Sequence, residues 1–386
     1  MKRIYLDNNA TTQVSPEVLE AMLPFYKENF GNASSVHEFG RSAKAALEDA
    51  RNTMAGYLGA GTNEIIFTSG GTEADNMAIK GVAHALRAKG NHIITSAIEH
   101  HAVLNTCKFL EGEGFKVTYL PVDKYGVVDL GELKKAINDK TIMVSIMLAN
   151  NEVGTIEPIE AISKIVKEKG ITLHTDAVQA VGKIEVNVKK LGVDLLSYSG
   201  HKINGPKGVG ALYVKKGTKI TPYQHGGHHE KHKRAGTENV PGIAGFAKAM
   251  ELSMKDMAKE NLHLVGLREK LYDGITGAIK HVSLNGHPEM RLPNTLSVGF
   301  KYLEGESILL NMDMEGIAAS TGSACASGSL EASHVLTSMG VDHADAQGAV
   351  RFSLGRYNTA EEIDYVIKTL PPIIERLRKM SPLYNG

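Results

Sequence analysis

Between Ser15 and Val214, short apolar runs alternate with amphipathic stretches at helical spacing, and this alternation constrains the fold more than any other feature of the chain. Such a pattern marks successive strand–helix units, whose strands line up in one mainly parallel sheet with helices packed over it. The predicted strands are Glu64–Thr68, His92–Ala97, Lys116–Val122, Ile142–Leu148, Thr172–Thr175, Leu195–Tyr198 and Val209–Val214, a seven-stranded sheet. Ser15-Pro16 reads as an N-cap followed by proline at the first helical position, with Val18, Met22 and Phe25 along one face. A second helix runs from Arg41 to Leu58 and ends at Gly59. Past Asn239 come a long polar-rich helical region, a strand at Asn294–Phe300, a helix from Glu304, a strand near Val350–Leu354 and a last helix. That helix opens with a capping box, Thr359 to Glu362, and is expected to kink or break at Pro371-Pro372. The expected division is a large α/β domain over residues 15–258 and a smaller α+β domain built from 1–14 with 259–386.

The length supports this, because single cores stop growing near about 250–300 residues. Apolar residues at 42% and charged residues at 22% describe a folded chain. Acidic and basic side chains balance at 43 each, so no net field selects nucleic acid, and no long run of like charge coats an anionic membrane. The N-terminus meets Asp7 before an apolar run develops, which argues against a secretion signal, and no apolar stretch is long enough to span a bilayer. Two cysteines, Cys107 and Cys325, make a poor disulfide framework, so the reducing cytoplasm is the expected compartment and a small molecule the expected partner.

In parallel α/β sheets ligands bind beyond the carboxyl ends of the strands, and the residues there are unusually polar in this chain. Ser69-Gly70-Gly71-Thr72 is a glycine turn feeding a helix, with backbone N–H groups and a hydroxyl suited to a phosphate, although a tight strand–helix connection explains it equally well. Glu99-His100-His101 follows the next strand; His100 suits stacking on a cofactor or acid/base work, or is a hydrogen-bonded, partly buried histidine. Asn150 and Asn151 offer amide donors or a plain turn. Asp176 comes straight after an apolar strand, where it either caps the following helix or meets a cation, with Gln179 near enough to share the cavity. Ser199-Gly200-His201-Lys202 is the strongest of these sites: a lysine in so constrained a turn, once desolvated, becomes an amine nucleophile able to form a Schiff base.

Three further features stand out. The loop from His225 to Arg234 carries four histidines, but no cysteine or aspartate is interleaved as a closed zinc site would show, so anion binding continued by Gly236-Thr237 is favoured over a metal. Cys107 reads as a small buried thiol on an amphipathic stretch. Cys325 sits among Thr, Gly, Ser and Ala, which suits a thiol that must travel to a substrate, while Arg356 is either a two-pronged donor to a substrate carboxylate or a surface arginine.

Taken in order, YLDNNATT, FTSGGTEADN, EHH, NNEVGTIEPI, HTDAVQAVGKI, SGHKINGPKGVGALY, HGGHHEKHKRAGTENVP, ASTGSACASGSLEASHVL and RFSLGRYNTAEEID resemble the cysteine desulfurases of the NifS/IscS type, pyridoxal-phosphate enzymes of the class V aminotransferase group. The resemblance covers nearly the whole chain and implies a fold-type I transferase. It makes Lys202 the Schiff-base lysine, which also moves a proton at the substrate's Cα. Asp176 becomes the partner of the pyridinium nitrogen, Gln179 that of the phenolic oxygen, and His100 the ring stacked over the pyridine. Gly71, Thr72, Ser199 and His201 fall in the phosphate-binding motifs, and Thr237 matches a position supplied by a neighbouring subunit, which implies a homodimer. Asn151 and Arg356 are implied to hold the amino-acid carboxylate, and Cys325 to take sulfur from L-cysteine as a persulfide, leaving L-alanine.

The long Cys325 loop resembles the subgroup that supplies iron–sulfur assembly or other sulfur transfer, with a scaffold protein as the implied acceptor. Gly71 stands where many relatives carry alanine, a change expected to leave the turn intact, and the chain stops soon after Tyr384, short of the tail by which some relatives dock a scaffold. Rival readings are a selenocysteine lyase or aminotransferase on the same fold, or an idle carrier in which Cys325 serves as an iron–sulfur ligand shared with a scaffold.

Overall fold

The structure, a computed structural model, describes residues 3–321 and 332–384. Twelve strands are present among the described residues: β1 (Ile4–Tyr5), β2 (Ile65–Thr68), β3 (His92–Ser96), β4 (Lys116–Leu120), β5 (Thr141–Ser145), β6 (Thr172–Asp176), β7 (Leu195–Ser199), β8 (Gly210–Val214), β9 (Val282–Asn285), β10 (Thr295–Phe300), β11 (Ile317–Ala318) and β12 (Ala349–Ser353). The seven expected from the apolar runs, β2 to β8, form one sheet in the order β2-β8-β7-β6-β5-β3-β4. Only β8 runs against its neighbours.

Every residue of β2, β3, β5, β7 and β8 is buried, as expected for strands covered by helices on both faces. The two edges differ. β4 exposes Lys116 and Tyr119, whereas β2 is covered: Glu230, from the histidine-rich loop, accepts from Phe67 N at 2.9 Å and pairs through both oxygens with Arg51 at 2.8 Å. Arg51 in turn donates to Ile65 O, so the free backbone groups of this edge are satisfied by an ion pair rather than by water.

A second sheet, β12-β10-β9, is antiparallel, and β1 pairs with β11. Ile4 and Leu6 from the N-terminus belong to its core together with Val298, Phe300, Val350 and Phe352. One helix, Val240–Ala278, joins the two cores. Val240, Ile243, Phe246 and Met250 pack with the large sheet, and Leu264, Leu267, Leu271 and Ile275 with the small one. The chain thus passes residue 258 inside a helix and not through a linker.

Three local expectations change. Ser15 precedes the helix Pro16–Met22, but its hydroxyl makes no cap bond and is buried without a partner. The second helix starts earlier, at Glu38, with His37 accepting from Gly40 N, and closes as expected on Gly59 in the left-handed region at φ 69°. The last helix, Ala360–Met380, does not break at Pro371-Pro372. Its buried stripe of Ile363, Val366, Leu370, Ile373 and Ile374 continues across both prolines, and packing against one core holds the two halves as one helix despite the lost hydrogen bonds.

Candidate active site

The carboxyl ends of β3, β5, β6 and β7 open into a cavity of about 330 Å³. Gly71, Thr72, His100, Asn151, Asp176, Gln179, Ser199, His201 and Lys202 all line it, so nearly every strand-end residue singled out in the sequence converges there. The reason is topological: each apolar strand stops where its chain turns into a loop, and the polar residue that ends the run is left at the same edge of the sheet.

Gly71 opens the helix Gly71–Leu86, whose first turn leaves backbone N–H groups toward the cavity end. A Cβ on Gly71 would lie 2.7 Å from Val178 Cγ2, so alanine here would require the Val178 side chain to shift. Glu73 accepts from Ser69 N at 2.7 Å and pairs with Arg234 at 2.8 Å, which ties the segment before Thr237 to this turn. Thr237 itself is exposed and lies outside the lining of the cavity.

Asp176 ends β6 and is 5% exposed. Its Oδ1 accepts from Val178 N at 2.8 Å, so it caps a turn rather than a helix. Burial pushes its carboxyl up to about 6, against that hydrogen bond and the charge of Lys202. Asp75, on the second turn of the glycine-led helix, lines the same cavity and is likewise held well above the usual carboxylate range by burial and by Asp176. Two buried carboxyls at one site create a demand for a cation.

Lys202 lies in a short 3-10 turn after β7, and its Nζ donates to the carbonyls of Asn9 and Ala10 at 2.5 and 2.8 Å. His201 and His100 are both pushed down to about 4, first by burial and then by Lys202. His100 Nδ1 accepts from Ala102 N at 3.1 Å, so the neutral ring carries its proton on Nε2. Ser199 Oγ is buried in the wall without a hydrogen-bond partner.

Arginine placement differs from the expectation. Arg356 does not line this cavity; it pairs with Glu260 at 2.7 Å in a neighbouring cleft that also touches Lys202. Arg351 lines the cavity instead, donating to Asp7 Oδ1 at 2.8 Å and to Asn151 O at 3.0 Å, with its Nε buried and unpartnered. A signal was present: within β12 the arginine alternates with Val350 and Phe352 of the small core, so it must face the other way. Asn9, Ala10 and Asp75 were also missed as wall residues, though two of the quoted motifs contain them.

Cys325 lies outside the described residues. Cys107 is fully buried in the helix His101–Gly112, and burial pushes its thiol up to about 12, which leaves it inert. Among the described residues no group of three or more His, Cys, Asp or Glu is placed to hold a metal ion. In the histidine-rich loop, the rings of His228 and His232 lie 4.5 Å apart while His229 accepts from Gly236 N. No helix among the described residues is long and apolar enough to cross a membrane.

Comparison with known proteins bears on this geometry. The class-V aminotransferase family model matches residues 4–366. A Methanosarcina thermophila protein named cysteine desulfurase IscS is 58% identical over 382 residues, covering 99% of this chain and 94% of the relative. A Clostridium botulinum protein of the same name is 56% identical, covering 100% of this chain and 97% of its own length. A solved structure described as a NifS-like protein superposes with a TM-score of 0.92 at 46% identity, over 97% of this chain and 100% of the other. The chain belongs to the class-V aminotransferase family, among the cysteine desulfurases of the NifS/IscS type.

Proposed function

We propose that the chain is a pyridoxal-phosphate-dependent cysteine desulfurase that converts L-cysteine to L-alanine and takes the sulfur onto Cys325. The observation that carries this reading is the gathering of Lys202, Asp176, Gln179, His100, Ser199 and Thr72 in one cavity with Arg351 and Asn151. The donor set fits the cofactor. The unpartnered Ser199 hydroxyl, Thr72, His201 and the first turn behind Gly71 would hold its phosphate. Asp176, raised by burial, ionises most readily against a cation and so suits a protonated ring nitrogen. Gln179 would face the phenolic oxygen, His100 the ring, and Lys202 the aldehyde carbon. Bound there, pyridoxal phosphate supplies an electron sink for charge developing on the substrate's carbons.

The protein's own side chains do the rest. Arg351, pinned by Asp7, presents a planar fork to the substrate carboxylate, with Asn151 beside it. This is the role expected of Arg356, which its pairing with Glu260 removes from the cavity. Lys202, with hydrogens on Nζ, moves a proton at Cα, and His100 holds one at Nε2 for donation. The Cys325 thiolate attacks the substrate sulfur: an S–S bond forms, the Cβ–S bond breaks, and a proton delivered to that carbon completes the methyl group of alanine.

The chain works as a homodimer in this reading, with Thr237 reaching a partner's phosphate site; its exposure outside its own cavity supports that. The persulfide passes to an iron–sulfur scaffold or another sulfur acceptor in the cytoplasm. Sulfide and alanine release from L-cysteine with a thiol reductant tests the proposal. Equimolar products from the wild type, and none from Cys325→Ala with its cofactor absorbance intact, are expected; no sulfide from cofactor-loaded wild type would sink it.

A further inference from the structure

Lys183 has no part in the chemistry above, yet it is only 9% exposed, and burying an amine is costly without a specific partner. That partner is Gln179, four residues back across the turn after β6: Lys183 Nζ donates to Gln179 Oε1 at 2.8 Å. On its other side, Gln179 Nε2 donates to the carbonyl of Asn9 at 2.9 Å. A glutamine amide has nearly the same shape whichever way round it sits, and one end donates while the other accepts. Here both neighbours select one orientation, because an ammonium group offers donors alone and a backbone carbonyl accepts alone. With Oε1 committed to Lys183, the second N–H of Nε2 remains for the cavity that Gln179 lines.

We propose that Lys183 is a positioning residue for the desulfurase reaction: by holding Gln179 Oε1, it makes Gln179 present an N–H, and not a carbonyl, to the cofactor's phenolic oxygen. A donor stabilises the ionised form of that oxygen and a carbonyl dipole opposes it, so the orientation sets the protonation of the bound cofactor. Burial, followed by the charge of Lys202, pushes Lys183 down to about 7, with Glu260 opposing and Arg351 adding to the shift. In either protonation state the amine keeps hydrogens to donate, so its hold on Oε1 does not depend on its charge. The inference rests on the cofactor assignment made above.

The test is a pH titration of the visible absorption band of the cofactor-loaded protein in the wild type, Lys183→Met, Gln179→Ala and the double variant. Lys183→Met is expected to raise the titration midpoint by about one unit. On the Gln179→Ala background the same exchange is expected to add nothing, the signature of a residue acting through another. Equal shifts on both backgrounds would overturn the proposal, because Lys183 would then act through its own charge. So would an unshifted Lys183→Met. Lys183→Gln guards against misfolding of the apolar variant: it keeps a donor without the charge, so a wild-type midpoint supports the proposal and a shift of about one unit overturns it. A wild type with no visible band would overturn the cofactor assignment, and this inference with it.

Discussion

At the carboxyl ends of the central strands the chain buries Glu99, Glu152 and Asp176, at 0%, 4% and 5% exposure, whereas the smaller lobe fills its core with Leu296, Val298, Phe300, Val350 and Phe352. Each of those three carboxyls is pushed up by burial, to about 8, 7 and 6. A group so shifted costs folding free energy whenever it ionises. Those apolar core residues show no such conflict: they gain by leaving water and lose nothing by lacking partners. Stability is therefore generated away from the cavity, and the cavity is free to keep groups that a core would reject. The long helix Val240–Ala278 links the two regimes, which is how one lobe steadies the other.

The contrast is broken most severely by substituting once in each region. Lys202→Ala is expected to lower turnover by about four orders of magnitude, as loss of a catalytic amine does, while the free energy of unfolding changes by no more than about 1 kcal/mol. Phe300→Ala is expected to do the reverse. Fully buried in the small core, Phe300 should cost about 3–5 kcal/mol on truncation, with turnover per folded molecule close to wild type. Urea denaturation beside steady-state kinetics on the same samples measures both. A large stability loss in Lys202→Ala would erase the distinction between the two regions.

A middle-sized effect separates the two arginines of the RFSLGR segment. Arg351→Lys removes the planar fork while keeping the charge, and KM for cysteine should rise by about ten- to a hundredfold. Arg356→Lys should change KM little, because its guanidinium is engaged by Glu260 outside the cavity. The opposite order of effects would return the carboxylate role to Arg356.

How far the sequence could be read follows the same division. Strand ends were legible because an apolar run that stops at Asp176 or at the Ser199–Lys202 turn breaks a pattern, and the break is the signal. Extents were less so: Ile146, Met147 and Leu148 stay buried beyond the end of β5, so apolar character outlasted the strand. Arg351 was hidden by its twin Arg356, and the two are separated by its alternation with Val350 and Phe352 in β12 and by the pairing of Arg356 with Glu260 outside the cavity. Asn9, a wall residue, and Asp7, which pins Arg351, were illegible because they belong to no regular element and act through contacts across hundreds of positions, to Thr295 and Arg351. The two prolines of the last helix misled because local chemistry argued for a break while a buried stripe, a tertiary property, decided otherwise.

The remaining effect is the most diagnostic of buried charge. Glu99 accepts from Ser96 Oγ at 2.6 Å and from Met147 N at 2.9 Å, yet its second oxygen is buried without a partner. Burial therefore outweighs these bonds and raises its carboxyl from 4.5 to about 8. The folded state then binds more protons than the unfolded state between those two values, so the stability tied to Glu99 is present at acid pH and is lost as pH rises toward 8. Glu99→Gln cannot ionise and escapes this loss. Its stability relative to wild type should rise from pH 5 to pH 8 and level off above. Lys183 and the buried histidines titrate in both proteins and cancel in the difference. Urea midpoints across that range decide the matter: a difference independent of pH would mean that Glu99 is ionised throughout, and that the cavity end tolerates buried charge as readily as water does.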